Sequence, residues 1–312
     1  MRRGSAGPAD DQDRPEPAFA IDEPVSIVSP LVFASPHSGR IYPERFLSVC
    51  SAGSMALRRI EDAYVDRLLC DVPAIGAPVL RALIGRACID LNRAPNELDA
   101  DMFADPDPAW RIMQRSTRVE AGIGCLPRVA HNGAPIYAQK LTRADAEWRL
   151  ETIYHPYHRA LEALLERARS MFGSAWLIDC HSMPSEVERP QTAEIVLGDR
   201  YGETCTPAFM SQVEAAFRSR GYSTARNAPY AGGHATVRHG LRTRRQYAVQ
   251  IEIRRDLYLD ETRVEPHDGL IRLRQDLTAI FEEVSEFART EAGHPASGPR
   301  KRPRRMPTRP RS

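Results

Sequence analysis

The stretch Ala175-Trp176-Leu177-Ile178-Asp179-Cys180, running straight into His181, decides the fold. A short apolar run that ends on polar, reactive side chains reads as a buried strand that delivers them at its carboxyl end. Leu31-Val32-Phe33-Ala34-Ser35 has the same form and ends at Pro36-His37-Ser38-Gly39. Runs at 79–84, 87–91, 194–198 and 248–253 read as further strands. Between them the spacing turns helical over Ser54 to Val72 (Leu57, Ile60, Tyr64, Leu68), over Ala144 to Phe172 with an interruption or bend near Pro156, over Pro207 to Arg218, and from about Gly269 to Thr290. Alternating strands and helices predict an α/β fold with a mixed, largely parallel sheet flanked by helices.

The chain has 312 residues with 42% hydrophobic side chains, enough for one catalytic-size domain over residues 23–291. Residues 1–22 and 292–312 are rich in Pro, Gly, Ala and charge and are expected to be disordered. The net charge of +2 hides an asymmetry, because seven basic residues and no acid follow Glu291, leaving the remainder at about −5. A mildly acidic domain argues against a specific nucleic-acid surface, and the basic tail reads as a solvated segment. No run approaches ~20 apolar residues, so no membrane span is expected. The first residues lack a secretory pattern, and the six cysteines have no C-x-x-C spacing, so they read as reduced thiols of a cytoplasmic protein.

Three reactive side chains fall at or inside strands: His37, His181 and Glu252. Two imidazoles and a carboxylate at strand ends suit a zinc site with a position left for water, a further carboxylate serving as base. Each also has a structural reading, since a histidine after a strand serves equally as a hydrogen-bonding residue and a buried Glu252 can pair with Arg254 or Arg255. Asp179, two before His181, can orient an imidazole or cap a turn. His155 and His158 have metal-pair spacing but sit on an amphipathic helix without acidic company, so they read as surface histidines. Arg86 and Arg93 bracket Asp90 and Asn92, and a guanidinium beside an amide suits carboxylate capture unless the arginines pair with Asp90 or Glu97. Tyr230-Ala231-Gly232-Gly233 offers a backbone that a ligand can approach closely, or a plain turn.

In order along the chain, Ser35-Pro-His-Ser-Gly39, Asp62-Ala-Tyr-Val-Asp-Arg-Leu68, Arg86 with Asp90-Leu-Asn-Arg93, and Asp179-Cys-His-Ser-Met-Pro184 resemble the N-formylglutamate amidohydrolase family. The likeness continues through Ile195-Val-Leu-Gly-Asp199, Pro229-Tyr-Ala-Gly-Gly233 and Gln250-Ile-Glu-Ile-Arg254. The resemblance implies a zinc-carboxypeptidase-like (phosphorylase/hydrolase-like) fold and hydrolysis of N-formyl-L-glutamate to formate and glutamate, late in histidine breakdown. It implies Zn²⁺, or Co²⁺ or another divalent metal, held by His37 and His181, with Glu252 as general base. The carboxypeptidase pattern has a glutamate three residues after the first histidine, where this chain has Arg40. The third ligand is therefore expected at Asp62, with Asp66 in reserve. Asn92 and Arg93 would hold a substrate carboxylate, and Arg86 would polarise the scissile carbonyl or hold a second carboxylate, with Arg128, Arg189 and Arg254 as further candidates. Tyr230, Gly232 and Gly233 would line the substrate site. The implied substrate is a small N-acyl amino acid. A deacylase or peptidase for another such substrate, or a silent carboxylate-binding protein, are the alternatives.

Overall fold

In the computed structural model, which describes residues 17–107, 116–185 and 193–293, Ala175–Met183 is a fully buried strand near the middle of a seven-stranded sheet. The strands in chain order are β1 (Phe19–Asp22), β2 (Leu31–Ser35), β3 (Val79–Ala82), β4 (Ala175–Met183), β5 (Ile195–Gly198), β6 (Thr224–Arg226) and β7 (Gln246–Arg254). Their spatial order is β1-β3-β2-β4-β7-β5-β6. β3, β2, β4 and β7 are mutually parallel, while β1 and the β5–β6 pair run against them. The mixed, largely parallel sheet expected from the sequence is present.

Alternation along the strands divides the core into two layers. Trp176, Ile178 and Cys180 of β4, with Val249, Ile251 and Ile253 of β7, face one apolar cluster; there Trp176 stacks between Phe209 and Tyr247 at 4.2 and 4.0 Å. Ala175, Leu177 and Ala248 face the other cluster. Asp179 and His181 continue that second face beyond its apolar part, as do Gln250 and Glu252. Polar side chains therefore emerge where the second layer stops.

The helices are α1 (Glu44–Leu47), α2 (Ser54–Arg58), α3 (Val65–Leu68), α4 (Thr117–Glu120), α5 (Arg143–Arg149), α6 (His155–Phe172), α7 (Pro207–Arg218), α8 (His234–His239) and α9 (Gly269–Gly293). α5 opens on a capping box, with Thr142 Oγ1 accepting from the Asp145 amide at 3.2 Å and Asp145 Oδ2 accepting from the Thr142 amide at 3.0 Å. A five-residue π-turn, Leu150–Tyr154, joins it to α6, whose first turn holds Pro156, so the α-helical hydrogen bonding is interrupted just ahead of a residue that lacks a backbone donor. Thr206 caps α7 by accepting from the Phe209 amide, with Pro207 in the first turn.

Four expectations need correction. The apolar run 87–91 is a turn rather than a strand; it is buried because Ala87, Cys88, Ile89 and Leu91 pack into the second core cluster, and burial alone mimics a strand pattern. The stretch 54–72 is not one helix: it breaks after α2, and the Asp62 amide donates instead to the His37 carbonyl at 3.0 Å. The N-terminal segment 1–22 is not wholly without structure, because β1 pairs with β3 and Asp22 bonds Arg81 at 2.8 Å; residues 1–16 and the tail from 294 lie outside the described residues. Among the described residues no helix is long and apolar enough to cross a membrane.

The fourth correction concerns the histidine pair of α6. His155 is half-buried beside Glu151, whereas His158 is buried and stacked on His239 at 5.7 Å. His158 donates from Nε2 to the Leu91 carbonyl at 2.9 Å, leaving Nδ1 to accept from His239 Nε2 at 3.4 Å. Burial, then the neighbouring His239 and Arg238, lowers His158 to about 2; burial, then Arg238 and His234, lowers His239 to about 3. Both rings stay neutral in the fold while the unfolded chain takes up protons below about 6.5. Their contribution is complete above that pH and is lost as pH falls, at about 1.4 kcal/mol per pH unit for each ring. His239→Gln is expected to reduce the slope of unfolding free energy against pH by that amount between about pH 6 and 4. Urea melts across that range measure the slope, and one equal to wild type would be inconsistent with a neutral buried His239.

Candidate active site

The exits of β2 and β4 bring two imidazoles together, edge to face, with their planes at 67°. After Ser35 the chain turns at Pro36, the Ser35 hydroxyl donates to Ser38 Oγ at 2.9 Å, and Gly39 passes close to the backbone of Ile84, where a Cβ would meet the carbonyl oxygen at 2.2 Å. This close passage needs glycine and seats His37 opposite His181. The ring centroids are 4.7 Å apart.

Asp62 enters between them from the break after α2. His37 Nδ1, His181 Nδ1 and Asp62 Oδ2 form a triangle with edges of 3.1, 2.9 and 3.2 Å, all three residues buried. The outer nitrogens are engaged as well. His37 Nε2 lies 2.7 Å from Asp90 Oδ1, and His181 Nε2 lies 3.0 Å from Asp179 Oδ2 and 3.1 Å from the Asn92 amide nitrogen. With the proton of His37 on the nitrogen facing Asp90, its Nδ1 lone pair points at a carboxylate oxygen and a second ring nitrogen. Converging lone pairs repel unless a proton or a cation sits among them. This donor set fits a divalent metal: two imidazoles, one carboxylate, and carboxylates behind the imidazoles to fix the tautomers.

The charges support one another. Burial works against charge on Asp62, but the adjoining His181 and His37 rings hold its pKa well below the usual range. Burial likewise opposes Asp90, yet Arg86, His37 and Arg93 keep it ionised. His181 is raised well above an ordinary imidazole because Asp179 and Asp62 outweigh its burial. Arg255 fixes the far oxygen of Asp62, donating from Nη2 to Oδ1 at 3.3 Å and to the Glu61 carbonyl at 2.8 Å, while its Nε donates to Ser182 Oγ at 3.0 Å.

Glu252 stands opposite His181 in the β4–β7 register and is buried. Burial, aided by the Asp62 and Asp179 carboxylates and opposed by His181 and Arg86, raises its pKa to about 7. Gln250, two residues earlier on the same face, donates to Glu252 Oε1 at 2.7 Å and accepts from the Gly233 amide at 2.7 Å.

A cavity of about 610 Å³ opens over this cluster. His37, Asp62, His181 and Glu252 line it, and so do Arg86, Arg93, Tyr230, Gly232 and Gly233. Arg86 donates to Asp90 Oδ2 at 2.6 Å and lies 4.0 Å from Asp62. Asn92 also lines the cavity, but its amide is engaged inside the protein: Oδ1 accepts from the Ala235 amide at 2.8 Å and Nδ2 donates to Gln250 at 3.3 Å. A Cβ on Gly233 would overlap that amide at 2.3 Å, so this glycine is required by close packing. Asp66, the reserve ligand, instead faces Arg40 at 3.6 Å. Arg254 pairs with Asp256 at 2.7 Å and Arg128 with Asp99 at 3.2 Å, neither lining this cavity; Arg189 lies outside the described residues. Sequence reasoning missed Asp90 as the partner of His37, together with Gln250 and Arg255 as supports. For Gln250 the signal was present, since Gln250-Ile251-Glu252 puts both polar residues on one strand face.

A model of the N-formylglutamate amidohydrolase family matches residues 29–259. The chain is 30% identical over 266 residues to N-formylglutamate deformylase of Pseudomonas aeruginosa, covering 82% of this chain and 91% of that protein. It is 28% identical over 261 residues to N-formylglutamate deformylase of Pseudomonas putida, covering 82% and 90%. The crystal structure of N-formylglutamate amidohydrolase from Ralstonia eutropha JMP134 superposes with a TM-score of 0.83 at 35% identity, covering 88% of this chain and 99% of that one.

Proposed function

Because the chain belongs to the N-formylglutamate amidohydrolase family, we propose that it hydrolyses N-formyl-L-glutamate to formate and L-glutamate. The single observation that carries this reading is the His37–Asp62–His181 triangle at the floor of a cavity edged by Glu252 and arginines. His37, Asp62 and His181 would hold a divalent cation, Zn²⁺ with Co²⁺ as a substitute, which when bound supplies Lewis acidity and lowers the pKa of water towards ~7. Glu252, with its carboxyl near neutrality, takes the proton from the attacking water and passes it to the departing amine nitrogen as the C–N bond breaks. Arg86 stabilises the charge that grows on the formyl oxygen, and its bond to Asp90 keeps it aimed. Arg93 binds one substrate carboxylate, with Tyr230 and the Gly232–Gly233 backbone closing the site around the formyl amide. Asn92 acts by positioning, since its amide ties α8 to Gln250 beside His181. The reaction belongs late in histidine breakdown, in the cytoplasm.

Formate release from N-formyl-L-glutamate, compared with N-acetyl and N-succinyl amino acids in the presence of Zn²⁺ or Co²⁺, tests the reading. N-formyl-L-glutamate is expected to be the best substrate. Faster turnover of an N-acetyl or N-succinyl compound would replace it with another deacylase activity, and no turnover of any would leave a binding protein.

A further inference from the structure

The rim of the cavity carries more positive charge than the proposed chemistry uses. Arg93, Arg118 and Arg200 all line it. Among the described residues Arg93 donates to two carbonyls, to Ile123 from Nε at 3.1 Å and to Asn92 from Nη1 at 3.0 Å. Among the described residues Arg118 has one ion-pair partner, Glu97 at 4.0 Å, and Asp90 acts on it from further away. Arg200 packs beside Gly232, its Nε is buried without a hydrogen-bond partner, and among the described residues neither it nor Arg93 has an ion-pair partner. Burial, then the nearby Arg93, with Arg200 adding to it, lowers Arg118 below the ordinary guanidinium range. Three guanidiniums lining one cavity, faced by Glu97 and by an Asp90 already engaged with Arg86 and His37, are in deficit of negative charge, and a dicarboxylate ligand supplies it.

We infer that Arg118 and Arg200 form the subsite for the side-chain carboxylate of the substrate and so select N-acyl amino acids with an acidic side chain. The inference rests on the proposed deformylase reading, in which Arg93 already serves the other carboxylate. Neither residue is a metal ligand or a proton carrier, so the effect falls on binding of one end of the substrate.

The test compares N-formyl-L-glutamate with its neutral isostere N-formyl-L-glutamine on wild type, Arg118→Gln and Arg200→Gln. Each substitution is expected to raise KM for N-formyl-L-glutamate by about tenfold to a hundredfold, as for a lost hydrogen bond between charged groups. The kcat should hold, and the glutamine compound should be turned over as before. Arg118→Lys and Arg200→Lys should recover part of the loss. Arg118 is partly exposed, so its variant tests the idea even where Arg200→Gln fails to fold. Unchanged KM values in an otherwise active Arg118→Gln enzyme overturn the inference and leave the deformylase reading intact. Should wild type release formate from neither compound, titration calorimetry with L-glutamate and L-glutamine decides the subsite alone. Tighter L-glutamate binding that Arg118→Gln weakens supports it, and equal affinities overturn it.

Discussion

Glu252→Gln is expected to lower kcat for N-formyl-L-glutamate by about 10²–10⁴-fold while metal content stays at the wild-type level. The substitution keeps size and keeps an oxygen for the Gln250 side chain, which donates to Glu252 Oε1 at 2.7 Å. It removes the only atom in that position able to accept and return a proton. Stability should not suffer, because burial already penalises the charged form and holds the carboxyl at about 7, so a neutral amide is tolerated there. Steady-state formate release together with metal analysis separates the two effects. A variant with wild-type kcat would remove Glu252 from the proton transfer, and one that lost its metal would make it a structural support of the cation site.

The loss from His37→Ala or His181→Ala should be more complete. Each removes one corner of a triangle whose edges are 2.9 to 3.2 Å, leaving two donors for a cation that ordinarily takes three from a protein in an open site. Metal content is expected to drop from about one ion per chain to near zero, with formate release falling below detection. The variants also strand a buried carboxylate, Asp90 behind His37 or Asp179 behind His181, so melting temperatures should be recorded in parallel. Undiminished zinc in both folded variants would refute the site.

The strands were legible because five of them, β2, β3, β4, β5 and β7, are short apolar runs, and that pattern already placed His37 and His181 at strand ends and Glu252 inside a strand. Asp62 was reachable only through family resemblance. Its own surroundings spell an amphipathic helix through Leu57, Ile60, Tyr64 and Leu68, and nothing local announces the break at which Tyr64 takes a positive φ of 66°. That break is enforced from outside, by the His37 carbonyl and the Arg255 guanidinium. Asp90 was hidden for a similar reason: beside Arg86 and Arg93 it reads as a surface ion-pair partner, whereas the fold spends one of its oxygens on His37. Strand β1 was missed because its four half-buried residues follow a Pro- and Asp-rich stretch, and an edge strand needs little hydrophobic signal when a neighbour supplies the pairing. His158 was misplaced because helical periodicity fixes which face a residue occupies but not which faces another element will cover.

The parallel ladder between β4 and β7 couples His181 to Glu252 as directly opposed residues, within a register that runs unbroken from Ala175 to Met183. Inserting or deleting one residue ahead of the site would turn the imidazole, if in β4, or the carboxyl, if in β7, to the opposite layer, into the apolar packing around Trp176 and Phe209. The separation of imidazole and carboxyl is thus inherited with the backbone and cannot drift by small steps. Relatives with new substrate preferences are expected to have altered the loops above the sheet while leaving this pair of strands equal in length.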